Sequence, residues 1–176
     1  MMKQGLVHIY TGDGKGKTTA AIGLAVRAAG HNKRVYILQF LKSRTTGELE
    51  IAKKLPMITF ERANTSRKFI FQMNEEEKKE LQKETEKAWN RLREITRESE
   101  YEIVIVDEIM GAIKNGLISL KEVIDLIKDK SPEKELILTG REAPDELIEL
   151  ADYVTEMKLI KHPYRKDIPA RKGIEF

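Results

Sequence analysis

Between residues 12 and 19 the chain reads Gly12-Asp13-Gly14-Lys15-Gly16-Lys17-Thr18-Thr19, which sets three glycines, two lysines and two adjacent threonines within a single turn. Glycines let a backbone curl closely round an anion without a Cβ clash. Lys17 supplies a positive charge, and the Thr18 hydroxyl suits a hard cation such as Mg²⁺. Val7-His8-Ile9-Tyr10 before the turn has the character of a strand, and the Ala-rich run from Lys17 to Ala29 that follows is helical. A strand, a glycine turn and a helix start in that order aim backbone N–H groups and the positive end of a helix dipole at one point. Phosphate binds in such a place. The usual spacing G-x-x-x-x-G-K-[ST] would put the first glycine at position 11, where Thr11 stands instead.

A second group of chemical residues closes the run Ile103-Val104-Ile105-Val106-Asp107-Glu108. A buried β-branched strand that ends in carboxylates is the usual partner of a phosphate loop, so Asp107 and Glu108 are expected to complete a Mg²⁺ site with Thr18. Arg27 on the first helix and Arg141, in Thr139-Gly140-Arg141, are the candidate cations for further phosphate contacts. Arg141 follows a strand, on the side of a parallel sheet where ligands bind. His8, His31 and His162 are expected to be structural.

Short β-type runs alternate with helical ones, the pattern of a mostly parallel sheet flanked by helices. Strands are expected at Leu6 to Tyr10, Val35 to Phe40, Ile58 to Glu61, Ile103 to Asp107, Leu136 to Thr139 and Tyr153 to Met157. The first helix is expected to stop at Gly30 as its C′ residue. Asn74 ahead of Glu75-Glu76-Glu77 opens a long helix through Trp89 to about Arg97. Ser119 with Glu122 forms a capping box, and Pro144-Asp145-Glu146 opens another helix. The stretch from Ala63 to Met73 has no clean period. A chain of 176 residues suits one α/β domain over 1–176.

Composition narrows the classes. With no cysteine, disulfides, thiolate metal sites and thiol nucleophiles are excluded. The 32 basic and 29 acidic residues are interleaved, without the single-sign block of a nucleic-acid binder. Neither an apolar run of membrane-spanning length nor a signal peptide is present, so a cytoplasmic location is expected.

Along nearly its whole length the chain resembles the P-loop-type ATP:corrinoid adenosyltransferases, which act on cob(I)alamin or cob(I)yrinic acid a,c-diamide. The shifted loop from Thr11 to Ala21 carries the resemblance. So do Arg27 with Gly30-His31, Gln39-Phe40-Leu41-Lys42, Gly47-Glu48, Val106-Asp107-Glu108, Leu138-Thr139-Gly140-Arg141 and the run from Leu150 through Lys161-His162 to Phe176. The resemblance implies a RecA-like P-loop domain that transfers the 5′-deoxyadenosyl group of ATP to a cobalt(I) corrinoid, with Mg²⁺ and release of triphosphate. Lys17, Thr18 and Glu108 then carry the catalytic work, and Gly12 to Thr19, Arg27 and Arg141 bind the nucleotide. Phe69 and Phe71 are expected to lie against the corrinoid. A homodimer is implied as well, and a cobalt(I) acceptor calls for a reductase partner. A conventional P-loop ATPase or nucleoside kinase is the alternative.

Overall fold

A computed structural model describes residues 4–41, 47–52, 54–64, 68 and 70–175, without the side chain of Arg165. Six strands form one parallel sheet: β1 (Val7–Thr11), β2 (Val35–Gln39), β3 (Ile58–Arg62), β4 (Ile103–Asp107), β5 (Glu135–Thr139) and β6 (Tyr153–Glu156). Their spatial order is β3-β2-β4-β5-β1-β6. Every expected strand is present, with ends displaced by a residue or so. β2 and β4 are buried along their full length, whereas β6 is an exposed edge.

The helices are α1 (Lys17–Ala29), α2 (Gly47–Ala52), α3 (Glu75–Arg97), α4 (Ile109–Lys114), α5 (Leu120–Asp129) and α6 (Asp145–Leu150). Strand residues alternate between two cores. On one face Ile37, Ile105 and Ile137 meet Ala21, Ala25 and Ala28 of α1 and Ala52 of α2. The alanines at i, i+4 and i+7 make a narrow stripe that lets α1 settle close to the strands and fixes where its N-terminus lies. On the other face Leu38, Val104, Val106 and Leu138 pack against Leu81, Trp89 and Leu92 of α3, with Ile109 of α4, Val123 and Leu126 of α5 and Leu147 of α6.

Local signals set the helix ends. Asn74 and Ser119 each form a capping box, with Glu77 and Glu122. The first helix stops differently from the expectation. Gly30 remains right-handed at φ −61°, and Asn32 takes the left-handed turn at φ 58°. Lys33 N–H donates to the Ala28 carbonyl and Asn32 N–H to that of Ala29, a Schellman pairing centred on Asn32. Asparagine tolerates this conformation nearly as well as glycine. Among the described residues no helix is long and apolar enough to cross a membrane.

Trp89 anchors the second core at 2% exposure, its ring centroid 6.5 Å from that of Phe40. Its indole N–H has no hydrogen-bond partner among the described residues. Trp89→Ala is therefore expected to destabilise the fold by about 3–5 kcal/mol, and Trp89→Phe by less because no hydrogen bond is lost. The shift in urea midpoint at constant m-value measures both.

Candidate active site

The phosphate loop is built outward from β1. Thr11 is the last residue of that strand, and its Oγ1 accepts a hydrogen bond from the Ala143 N–H at 3.2 Å. Gly12 then turns with φ 95°, and a Cβ on it would stand 2.6 Å from the Met157 carbonyl oxygen. Both facts demand glycine at position 12, so the displaced glycine follows from packing against the chain beyond β6. Gly14 N–H donates to the Met157 carbonyl at 2.6 Å and ties the loop down. Gly16, at φ 119°, starts α1.

Lys17 is not the exposed loop lysine that its polarity suggests. It is only 8% exposed, and its ammonium donates to the carbonyls of Gly12 at 2.6 Å and Gly14 at 2.8 Å. The side chain thus holds the loop curled. Burial lowers its pKa, and the Glu108 carboxylate opposes that shift.

Asp107 ends β4 at 1% exposure and gathers three donors. Thr18 Oγ1 and Thr139 Oγ1 donate to its Oδ1 at 2.9 and 2.6 Å, and Gln39 Nε2 donates to its Oδ2 at 2.8 Å. The sheet register explains the convergence: Gln39 pairs with Asp107 across β2 and β4, and Thr139 ends β5 on the other flank. Glu108 follows in the left-handed region at φ 62°, its N–H donating to Thr139 Oγ1 at 3.0 Å. A non-glycine residue held there is strained backbone, and here it makes the turn from β4 into α4.

A cavity of about 520 Å³ opens over the loop. Asp13 to Thr19 line one side, and Glu108, Arg141, Glu48 and His162 contribute to the rest. Arg141 lies 3.9 Å from Asp13. The segment 173–175 closes the remaining side, where Lys15 donates to the Ile174 carbonyl at 3.1 Å and pairs with Glu175 at 3.2 Å. Arg171 holds the Glu175 carboxyl down to about 2.

Of the expected site residues, the fold gathers Gly12 to Thr19, Asp107, Glu108 and Arg141. Arg27 stands apart, exposed in the last turn of α1 about 15 Å along the helix from Lys17, and it does not line the cavity. Glu48, Glu175 and the cavity-facing place of His162 were not evident from the sequence, because they reach the loop from distant segments. The match around Gly47-Glu48 and Lys161-His162 was the available signal. Phe71 is 81% exposed in the middle of the 3₁₀ turn Ile70–Gln72, while Lys42 and Phe69 lie outside the described residues.

Strand, glycine loop, helix N-terminus and carboxylate strand on a parallel sheet define a P-loop nucleotide-binding protein. The fold is also that of part of a solved structure titled EssC (ATPases 2 and 3) from Geobacillus thermodenitrificans, with TM-score 0.51 and 17% identity. The alignment covers 98% of this chain and 35% of that one. Residues 3–176 match the family model described as ATP:corrinoid adenosyltransferase BtuR/CobO/CobP, and the chain belongs to that family. A corrinoid adenosyltransferase from Sinorhizobium sp is 36% identical over 99% of this chain and 81% of its own length. Those of Pseudomonas aeruginosa and Escherichia coli K12 are 31% and 29% identical, covering 99% of this chain and 85% and 87% of theirs. The enzyme transfers the adenosyl group of ATP to a corrinoid.

Removing the Asp107 acceptor strands the buried donors of Gln39 and Thr139. Asp107→Ala is expected to destabilise the fold by about 3–5 kcal/mol, the range for breaking a buried charged network. Thr18→Val, at a half-buried position, is expected to cost about 1 kcal/mol. Urea unfolding of the two variants checks the difference.

Proposed function

We propose that Gly12 to Thr19 hold the triphosphate of ATP within a single catalytic unit, that the acceptor is the cobalt(I) form of the corrinoid, and that tripolyphosphate is released. The observation that supports this most directly is the state of Lys17. An ammonium has three donors, and the carbonyls of Gly12 and Gly14 take two of them. The third serves a phosphate oxygen while the first two keep the loop shaped for it. Lys15 and Arg141 add positive charge to the same cavity.

Mg²⁺ fits the donor set, because the Thr18 hydroxyl and the Asp107 and Glu108 carboxylates are all hard oxygen ligands. Among the described residues no three His, Cys, Asp or Glu side chains gather as a metal cage. That agrees with an ion that completes its shell from water and substrate phosphates. Glu108, which lines the cavity, would hold the ion together with the Thr18 hydroxyl, which Asp107 keeps in place. When bound, Mg²⁺ neutralises phosphate charge and improves the leaving group.

Cobalt(I) brings its own electron pair to C5′. A cobalt–carbon bond forms as the C5′–oxygen bond breaks, and the bonding pair departs on the α-phosphate oxygen. No proton is transferred, so the protein's work is to align the reactants and stabilise the growing negative charge. Lys17 and the backbone N–H groups at the start of α1 do the latter. The exposed Phe71 offers an apolar platform to the macrocycle. A cytoplasmic homodimer served by a reductase completes the reading.

Anaerobic reaction with ATP, Mg²⁺ and chemically reduced cobalamin is expected to give adenosylated corrinoid and tripolyphosphate in equal amounts, by cobalt absorption and phosphorus NMR. Stoichiometric ADP without adenosylated corrinoid would overturn the reading. Lys17→Ala is expected to lower turnover by roughly ten- to a hundred-fold or more.

A further inference from the structure

The carboxylate of Glu48 is not accounted for by phosphate or metal binding. Its Oε2 is buried and has no hydrogen-bond partner among the described residues, yet the residue lines the cavity over the phosphate loop. Other acids of that wall are engaged: Asp13 faces Arg141, and Glu175 is held by Arg171 and Lys15. A buried acceptor without a donor is costly. An ionised carboxylate only accepts, so its complement in the loaded site is a donor. Phosphate oxygens cannot fill that role.

The sheet order indicates which part of ATP reaches it. The loop follows β1, Asp107 and Glu108 end β4, and α2 packs on β3 at the far edge. At about 4.8 Å per strand, β4 lies roughly 10 Å from β1 and β3 roughly 19 Å. Glu48 therefore stands on the side of the loop that lies beyond the carboxylates. Opposite, the cavity is closed by the bonds of Lys15 to Ile174 and Glu175. A nucleotide with its phosphates in the loop accordingly extends toward α2. The segment carrying Phe71, the proposed corrinoid platform, follows β3 in the chain.

We propose that Glu48 is a nucleoside-selecting residue, whose carboxylate accepts hydrogen bonds from the ribose hydroxyls of ATP. A ribose hydroxyl that reaches the carboxylate from the cavity supplies it with a donor. The contact holds the sugar so that C5′ is presented toward the corrinoid side. This inference rests on the phosphate-loop reading above.

Calorimetric titration with Mg²⁺ and ATP, 2′-deoxyATP, 3′-deoxyATP or tripolyphosphate tests it in the wild type, Glu48→Ala and Glu48→Gln. Glu48→Ala is expected to weaken ATP binding about ten-fold or more, with Glu48→Gln intermediate. Both variants are expected to keep the wild-type affinity for tripolyphosphate, which also reports an intact fold. Loss of a hydroxyl is expected to weaken binding to the wild type and to have little further effect on Glu48→Ala. Unchanged ATP affinity, an equal loss for tripolyphosphate, or undiminished discrimination against the deoxy analogues by Glu48→Ala would each overturn the proposal. The affinity of the wild type for tripolyphosphate judges the phosphate loop separately, and the ATP-to-deoxyATP comparison tests Glu48 whatever that value.

Discussion

A single carboxylate organises the catalytic end of the sheet. Asp107 is buried at the tip of the central strand, where an anion is tolerated only if donors surround it. The donors come from both neighbouring strands and from the first helix: Gln39, Thr139 and Thr18. Four elements separated widely in sequence are thereby tied at one point. Thr139 extends the tie by accepting the Glu108 N–H, which fixes the strained turn where the strand gives way to α4. The phosphate loop inherits its position from this arrangement, because Thr18 belongs to the first turn of α1.

The loop has a second support of a different kind. Lys17 bonds back to the carbonyls of Gly12 and Gly14, and Gly14 is tied to Met157 beyond the edge strand. The loop is therefore preorganised from inside by a cation and from outside by backbone. A site shaped in advance loses less free energy to ordering when an anion arrives. This also gives Lys17 a structural role beside its electrostatic one.

Much of the framework was legible in the sequence because its signals are local. The continuous apolar run at 103–106, the Ala stripe of α1 and the capping boxes at Asn74 and Ser119 each fix an element without tertiary help. Short elements were harder. α2 and α4 have six residues each, too few for a period to emerge, and α4 is entered through a left-handed glutamate that no propensity predicts. Gly30 attracted the stop signal that belongs to Asn32, since either residue suits such a turn. In the site, the loop and the Asp107-Glu108 pair were visible as contiguous motifs. The burial of Lys17, the placement of Glu48 and the approach of Glu175 depend on segments that meet only in the folded chain, and Arg27, though on the same helix as Lys17, lies at its far end away from the cavity.

The placement of β1 bears on how the molecule is assembled during synthesis. The strand that bears the phosphate loop emerges early, but its hydrogen-bonding neighbours are β5 and β6, with Val7 opposite Leu136 and His8 opposite Tyr153. Until those late segments leave the ribosome, β1 has both edges unpaired, and β2, β3 and β4 can associate without it. Closing the sheet then means inserting the first strand between two of the last, a long-range pairing of the kind that slows folding and leaves apolar edges open to other chains. The phosphate loop therefore depends for its footing on strands made well after it, since β5 and β6 are what hold β1 in the sheet.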